Sequence, residues 1–175
     1  DYKGETFKIS EVNPNLFWIE NKRKNSIELH NFLWLNLVDR KTDNKNIKKI
    51  IYIWLLKNSN YKRNIWNTST LSSRIISWIL NIDIILDNAN FAFKRNFLSC
   101  IISQTNHLKK NIKFEKDYLV KIEIFTALIV SGLVFKEEPL VVESSFLDCD
   151  LTLLMLEVFI LLSTLFANPA APPDP

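Results

Sequence analysis

Between residues 66 and 135, apolar side chains recur every three or four positions, and this period constrains the fold more than any other feature of the sequence. One helix is predicted over 68–86, where the apolar face is Leu71, Ile75, Trp78, Ile82 and Leu86. A second, long amphipathic helix is predicted over about 91–112. With only two glycines, the chain lacks the frequent turn signals of an all-β protein. The sequence therefore predicts an all-α fold.

Further helices are predicted on both sides of this region, over 26–38, about 43–58, 118–135 and 147–166. Short connections between successive helices favour stacked antiparallel helical hairpins. The predicted organisation is an irregular lead-in over 1–25, which packs through Phe17 and Trp18, then a helical domain over 26–166 and a Pro-rich tail or linker over 167–175.

The last predicted helix is strongly apolar, which raises the question of a membrane span. Its run over 151–166 contains Glu157 and is shorter than the roughly 20 residues that cross a bilayer. We therefore expect a buried helix and no membrane span.

Charge and composition exclude several functional classes. A net charge of +3 is compatible with an anionic polysaccharide, but it is low for nucleic-acid binding, and no nucleic-acid motif is present. The basic runs KRN and NHLKKNIK are expected to be solvated loop tips and helix faces. Cys100 and Cys149 belong to no metal-ligand motif, and no Gly-rich phosphate loop or nucleophile elbow occurs. We therefore predict no metal and no cofactor.

Five short motifs follow one another between residues 26 and 136. They are ELHNFLWLN with His30 and Trp34, IYIWLLKN with Trp54 and Asn58, WNTSTLSSRIISW with Trp66, Ser72, Arg74 and Trp78, QTNHLKKN with Gln104, His107, Leu108 and Asn111, and ALIVSGLVF. In this order the motifs resemble the N-terminal helical domain of the heparinase II/III-like proteins, which include polysaccharide lyases acting on uronic-acid glycans.

The resemblance implies an incomplete α/α toroid followed by a C-terminal β domain, with a cleft for an acidic polysaccharide between them. That β domain is missing from the present 175 residues. The resemblance also suggests a location in the periplasm or at the cell surface. The implied reaction is β-elimination beside a uronate, which needs neutralisation of the sugar carboxylate, a base for the C5 proton and an acid for the leaving oxygen.

The resemblance places the family's catalytic Asn-His pair at Leu119 and Val120, whose side chains can neither titrate nor form hydrogen bonds. Tyr118 immediately precedes them and carries a phenol. His30 and His107 are the only imidazoles of the chain and are candidate bases. Each histidine has an alternative role as a hydrogen-bonded structural residue.

Substrate contacts are expected from one arginine and three tryptophans. The guanidinium of Arg74 can bind a carboxylate or sulfate through two parallel hydrogen bonds, and the alternative is an ion pair with Glu28 or Asp83. Three indoles could stack on sugar rings, with core packing as the alternative, namely those of Trp34, Trp66 and Trp78.

Two functions remain open from the sequence. The first is the helical domain of a polysaccharide lyase. The second is a non-catalytic helical module that binds a glycan or a protein and has lost the Asn-His pair.

Overall fold

The computed structural model describes residues 13–14, 17–18, 26–38 and 45–137, and these contain helices and no strand. The all-α class is therefore confirmed. The helices are α1 (Ser26–Leu29), α2 (Lys45–Asn58), α3 (Thr68–Leu80), α4 (Ile82–Leu86), α5 (Phe91–Asn111) and α6 (Tyr118–Glu137), with 3₁₀ turns at Leu33–Leu37 and Ile112–Phe114. The toroid arrangement stays a prediction, and the predicted helix over 147–166 and the tail over 167–175 lie outside the described residues.

The chain divides into two compact units, Asp1–Ser131 and Gly132–Pro175. Within the first unit, α3 packs against α5 and against the 3₁₀ turn Leu33–Leu37, and α2 also packs against α5. The interior is therefore built around α3.

The prediction of one helix over 26–38 is wrong. Helix α1 ends at Leu29, and Phe32 adopts a left-handed conformation with φ 59°. The Asn31 side chain accepts a hydrogen bond from the Leu33 backbone N–H at 2.9 Å, which supports the turn. Phe32 is completely buried, and its ring lies edge-on to Trp54 and Trp78. Burial of this ring offsets the strain of a positive φ at a bulky residue.

The single helix predicted over 68–86 is also interrupted, at Asn81. The Asn81 amide donates to the Ser77 carbonyl oxygen and to Asn36 Oδ1, each at 2.8 Å. Its backbone leaves the helical region, with φ −116° and ψ 23°. Asparagine competes with helical hydrogen bonding by this kind of local bond, so α3 and α4 form separate helices.

Asparagine side chains cap the starts of α3 and α5. Asn67 Oδ1 accepts from the Thr70 N–H at 2.9 Å at the start of α3, and Asn90 Oδ1 accepts from the Phe93 N–H at 2.8 Å at the start of α5. Each bond satisfies a donor that the first turn of a helix leaves unpaired.

The described residues of the lead-in are attached to the core. Phe17 packs with Leu29 and Ile50 in one apolar cluster, and Trp18 Nε1 donates to the Ile50 carbonyl oxygen at 2.9 Å. The Phe17 N–H donates to the Asn13 carbonyl oxygen, as in a helical turn. Phe17 and Trp18 therefore pack against the core, as expected. The helical turn at Asn13–Phe17 was not predicted, because the sequence of the lead-in has no helical period.

Helix α6 is apolar around most of its circumference. Residues Tyr118–Phe135 have a mean hydropathy of 1.9, and this part of α6 is long and apolar enough to cross a membrane by length and composition alone. Core helices of soluble proteins meet the same criterion, so the expected lack of a span stays a prediction.

Candidate functional site

His30, in the first of the five sequence motifs, is buried inside the fold and is 9% exposed. Its Nδ1 accepts a hydrogen bond from Trp54 Nε1 at 2.7 Å, and the Trp18 ring stacks on it at 5.2 Å. Burial, and then the charges of Arg74 and Lys62, lower its pKa from 6.5 to about 4. His30 is therefore neutral at pH 7, and its acceptor nitrogen already holds a core tryptophan in place.

Arg74 has no exposed surface. Its Nε donates to Gln104 Oε1 and its Nη2 to the Ile65 carbonyl oxygen, both at 2.9 Å. The guanidinium also lies over the Trp54 ring, 4.6 Å from the ring centroid. Burial lowers its pKa from 12.5 to about 9. In this structure Arg74 is therefore part of the core and lies on no surface that a sugar carboxylate can reach.

The three tryptophans expected to contact sugar occupy different environments. Trp78 is completely buried between Trp54 and Phe97. Trp34 is half-buried and donates to the Leu29 carbonyl oxygen at 3.3 Å. Trp66 is 4% exposed. Trp66 and Trp78 are thus buried, whereas Trp34 keeps partial access to solvent.

Tyr118 opens α6 and is 61% exposed, and the following Leu119 is 72% exposed. The Lys121 ammonium lies over the Tyr118 ring, 5.3 Å from its centroid. Neither imidazole is among its ring contacts in the described structure. The candidate catalytic residues Tyr118, His30 and His107 are therefore not gathered at one point.

A cluster of three rings at the surface contains His107, and we call it the Tyr61 cluster. The His107 ring lies 5.4 Å from Tyr61 and 5.6 Å from Trp66, and the Tyr61 and Trp66 rings are 6.0 Å apart. Trp66 Nε1 donates to the Asn58 carbonyl oxygen at 3.2 Å, which fixes the buried ring. Tyr61 is 61% exposed, so one aromatic face is available to a ligand.

The two segments that carry the Tyr61 cluster are basic. Segments 57–67 and 104–111 contain five Lys or Arg and no Asp or Glu. Lys62 Nζ donates to the Lys57 carbonyl oxygen at 2.6 Å and to Asn58 Oδ1 at 3.0 Å, so this ammonium is held beside the cluster. Burial, and then the charge of Lys110, lower the pKa of His107. The imidazole is therefore neutral at pH 7.

Sequence reasoning identified Trp66 and His107 but missed Tyr61 and Lys62. The run KRN was interpreted as a solvated loop tip because of its charge, and Tyr61 was given no role. This run lies between two motifs, and the segments 57–67 and 104–111 contain no acidic residue. These two features together are the sequence signal that could have identified Tyr61 and Lys62.

A separate pocket of about 400 Å³ opens between α2 and α5. One stripe from each helix and the residues after α2 form its wall, namely Tyr52, Leu55, Leu56, Ser59, Asn60, Asn96, Ser99, Cys100 and Ser103. None of the described residues that line it is charged, so a sugar carboxylate would lose its hydration there without gaining a cation from them. The Tyr61 cluster is the better candidate for an acidic ligand.

Among residues 13–14, 17–18, 26–38 and 45–137, no group of three or more His, Cys, Asp or Glu side chains could hold a metal ion. Comparison of the chain with family models, curated proteins and solved structures found no match. The resemblance to the heparinase II/III-like family therefore depends on the motif residues alone.

Proposed function

We propose that this chain is a helical glycan-binding domain of the kind found in heparinase II/III-like polysaccharide lyases, and that it binds an acidic polysaccharide at the Tyr61 cluster. The observation that carries the proposal is the exposed Tyr61 ring, which is supported by Trp66 and His107 and lies among basic residues.

The aromatic part of this surface suits a sugar ring. A pyranose has an apolar face of C–H groups that packs against an aromatic face, while its hydroxyl groups remain in water. Contacts with Trp66 and His107 limit the rotation of Tyr61, so less side-chain entropy is lost on binding. Tyr61 would therefore act as a preorganised platform for one sugar unit.

The charged part suits the carboxylates or sulfates of an acidic glycan. Lys62 and Arg63 directly follow Tyr61, and Lys110 lies near His107. Exposed charges act over about one Debye length, roughly 8 Å at physiological ionic strength. These cations would therefore attract the anionic groups of a sugar stacked on Tyr61, and binding should weaken as salt is added.

The binding test uses a charged polysaccharide and a neutral one. We expect the chain to bind polygalacturonate in isothermal titration calorimetry and to bind dextran much more weakly. Tyr61→Ala and Lys62→Ala should each weaken polygalacturonate binding by about twofold to fivefold, the usual size of losing one ring contact or one partly exposed charge contact. The matched controls Tyr52→Ala and Lys49→Ala alter exposed residues of α2 and should leave the affinity unchanged.

The proposal fails if all four variants bind polygalacturonate as tightly as the parent chain, or if dextran binds equally well. Circular dichroism of each variant checks that a loss of affinity does not reflect unfolding.

The contact between Tyr61 and His107 also favours a second candidate, β-elimination at the same surface. Neutral His107 would take the C5 proton of the uronate, and the C4–O bond would break as the C4–C5 double bond forms. The Tyr61 phenol would protonate the departing oxygen, and Lys62 would neutralise the carboxylate. This assignment uses neither His30 nor the positions of Leu119 and Val120.

Ultraviolet absorbance of the unsaturated uronate separates the two functions. Absorbance that grows with the parent chain and disappears with His107→Gln and Tyr61→Phe would support elimination. Binding of polygalacturonate without any growth in absorbance would support the non-catalytic domain.

A further inference from the structure

Among the described residues of the first unit, three buried side-chain atoms that can donate hydrogen bonds have no partner. Arg74 Nη1, Ser77 Oγ and Trp78 Nε1 are fully buried and form no hydrogen bond. Buried polar groups in folded proteins are nearly always paired, and an unpaired one calls for an explanation. Three unpaired donors on one helix indicate that a ligand with acceptor atoms binds beside them in the folded protein.

The three donors share one face of α3. Their positions are i, i+3 and i+4, which lie next to one another on the surface of a helix. The Arg74 guanidinium carbon is 5.9 Å from the centroid of the Trp78 ring, so the two side chains are neighbours. Arg74 and Trp78 are thus close enough for one small acceptor to lie between them, and Ser77 lies on the same face of α3.

The charge balance indicates which kind of acceptor fits. The hydrogen-bond partners of Arg74, Gln104 and the Ile65 carbonyl, are neutral, so they leave the buried positive charge uncompensated. A water molecule would find one acceptor there for its two protons, Ser77 Oγ, because Arg74 Nη1 and Trp78 Nε1 can only donate. An anion accepts from all three groups and also balances the charge.

We propose that the face of α3 formed by Arg74, Ser77 and Trp78 binds a small inorganic monovalent anion such as chloride inside the helical core. The site is structural, because its donors are shielded from the surface. It is independent of the Tyr61 cluster and of the function proposed for that cluster.

The test measures thermal unfolding of the chain in sodium chloride and in sodium gluconate at the same ionic strength. A ligand that binds only the folded state stabilises it in proportion to the logarithm of its concentration above the dissociation constant. The midpoint should therefore rise with chloride and remain constant in gluconate, whose anion is too large for a buried site. Equal midpoints in the two salts would overturn the proposal.

Single-donor variants locate the site. Ser77→Ala and Trp78→Phe should each weaken chloride binding by about tenfold, as expected for the loss of one hydrogen bond to a charged group. The control Ser99→Ala changes an exposed serine of α5 and should keep the full chloride dependence. If Ser77→Ala and Trp78→Phe respond to chloride as the parent chain does, the anion does not bind at α3.

A crystal grown in bromide provides the direct observation. An anomalous bromide peak within hydrogen-bond distance of Arg74 Nη1 would support the proposal. A water molecule at that position, without anomalous signal, would overturn it.

Discussion

Protonation of His30 should destabilise the folded chain in mild acid. In the folded state its Nδ1 accepts a hydrogen bond from Trp54 Nε1. A protonated imidazole carries a hydrogen on Nδ1, so two donors would face each other and the bond would be lost. The ring is also nearly removed from water, where its charged form is stabilised.

The size of the effect follows from the lowered pKa. The pKa of His30 is 6.5 when unperturbed and about 4 in the folded chain. Between these values the unfolded state binds more protons than the folded state, so stability falls as the pH falls. A pKa difference of one corresponds to about 1.4 kcal/mol, which gives a loss of about 3 kcal/mol between pH 6.5 and pH 4. Below pH 4 this contribution stays constant.

The assay is urea unfolding of the parent chain and of His30→Gln at a series of pH values from 7.5 to 3.5. Glutamine can accept the hydrogen bond from Trp54 through its amide oxygen but does not titrate. Other ionisable groups, including His107 and Glu115, contribute equally to both proteins. The free energy of unfolding of the parent chain, relative to the variant, should therefore decline by about 1.4 kcal/mol per pH unit between pH 6.5 and pH 4, and change little outside that range.

Parallel pH curves for the two proteins would refute the reasoning, because they would show that His30 takes up its proton equally in the folded and unfolded states. A difference that changes mainly above pH 6.5 and not below it would also contradict it, since the imidazole is then mostly deprotonated in both states.

Three further predictions concern caps, thiols and the core. Asn67→Ala removes the cap of α3 and should lower the free energy of unfolding by about 1 kcal/mol in urea, whereas Asn60→Ala, at an exposed position, should have little effect. In a Cys149→Ser background, Cys100 should react slowly with Ellman's reagent at pH 8 and rapidly in urea. The reason is that burial raises the pKa of its thiol to about 11 in the folded chain. Fast reaction of the folded chain would contradict this prediction. Phe32→Ala should cost about 3–5 kcal/mol in the same urea assay, since the ring is fully buried, and a cost below about 1 kcal/mol would show that the ring is not tightly packed.

Helices were predictable from the sequence where apolar residues recur every three or four positions. The expected ranges 91–112 and 118–135 agree closely with α5 (Phe91–Asn111) and α6 (Tyr118–Glu137). Their apolar residues and their starts are properties of neighbouring positions in the sequence, so no distant contact is needed to recognise them.

The two helix breaks were not predictable, because distant contacts produce them. At Asn81 the amide donates to Asn36, which is 45 positions away in sequence. At Phe32 the left-handed backbone persists because the ring is buried against Trp54 and Trp78, on two later helices. Periodicity alone continues through both residues.

The candidate site was predictable only in part. Trp66 and His107 belong to recognisable motifs, whereas Tyr61 and Lys62 lie in a loop without a period. Only folding brings this loop against α5, because the loop and His107 are more than 40 positions apart in sequence.

The sequence by itself determined an all-α fold, the extents of α5 and α6, and the aromatic and basic residues available to a site. Only the tertiary structure decided which of those residues face solvent. Helical spacing shows that Arg74 shares a face with Ser77 and Trp78, but not whether that face is covered. Packing of α3 against α5 and the turn at Leu33–Leu37 buries Arg74 and Trp78, while Tyr61 remains at the surface. The reason is that burial depends on how neighbouring helices pack, which no single helix specifies.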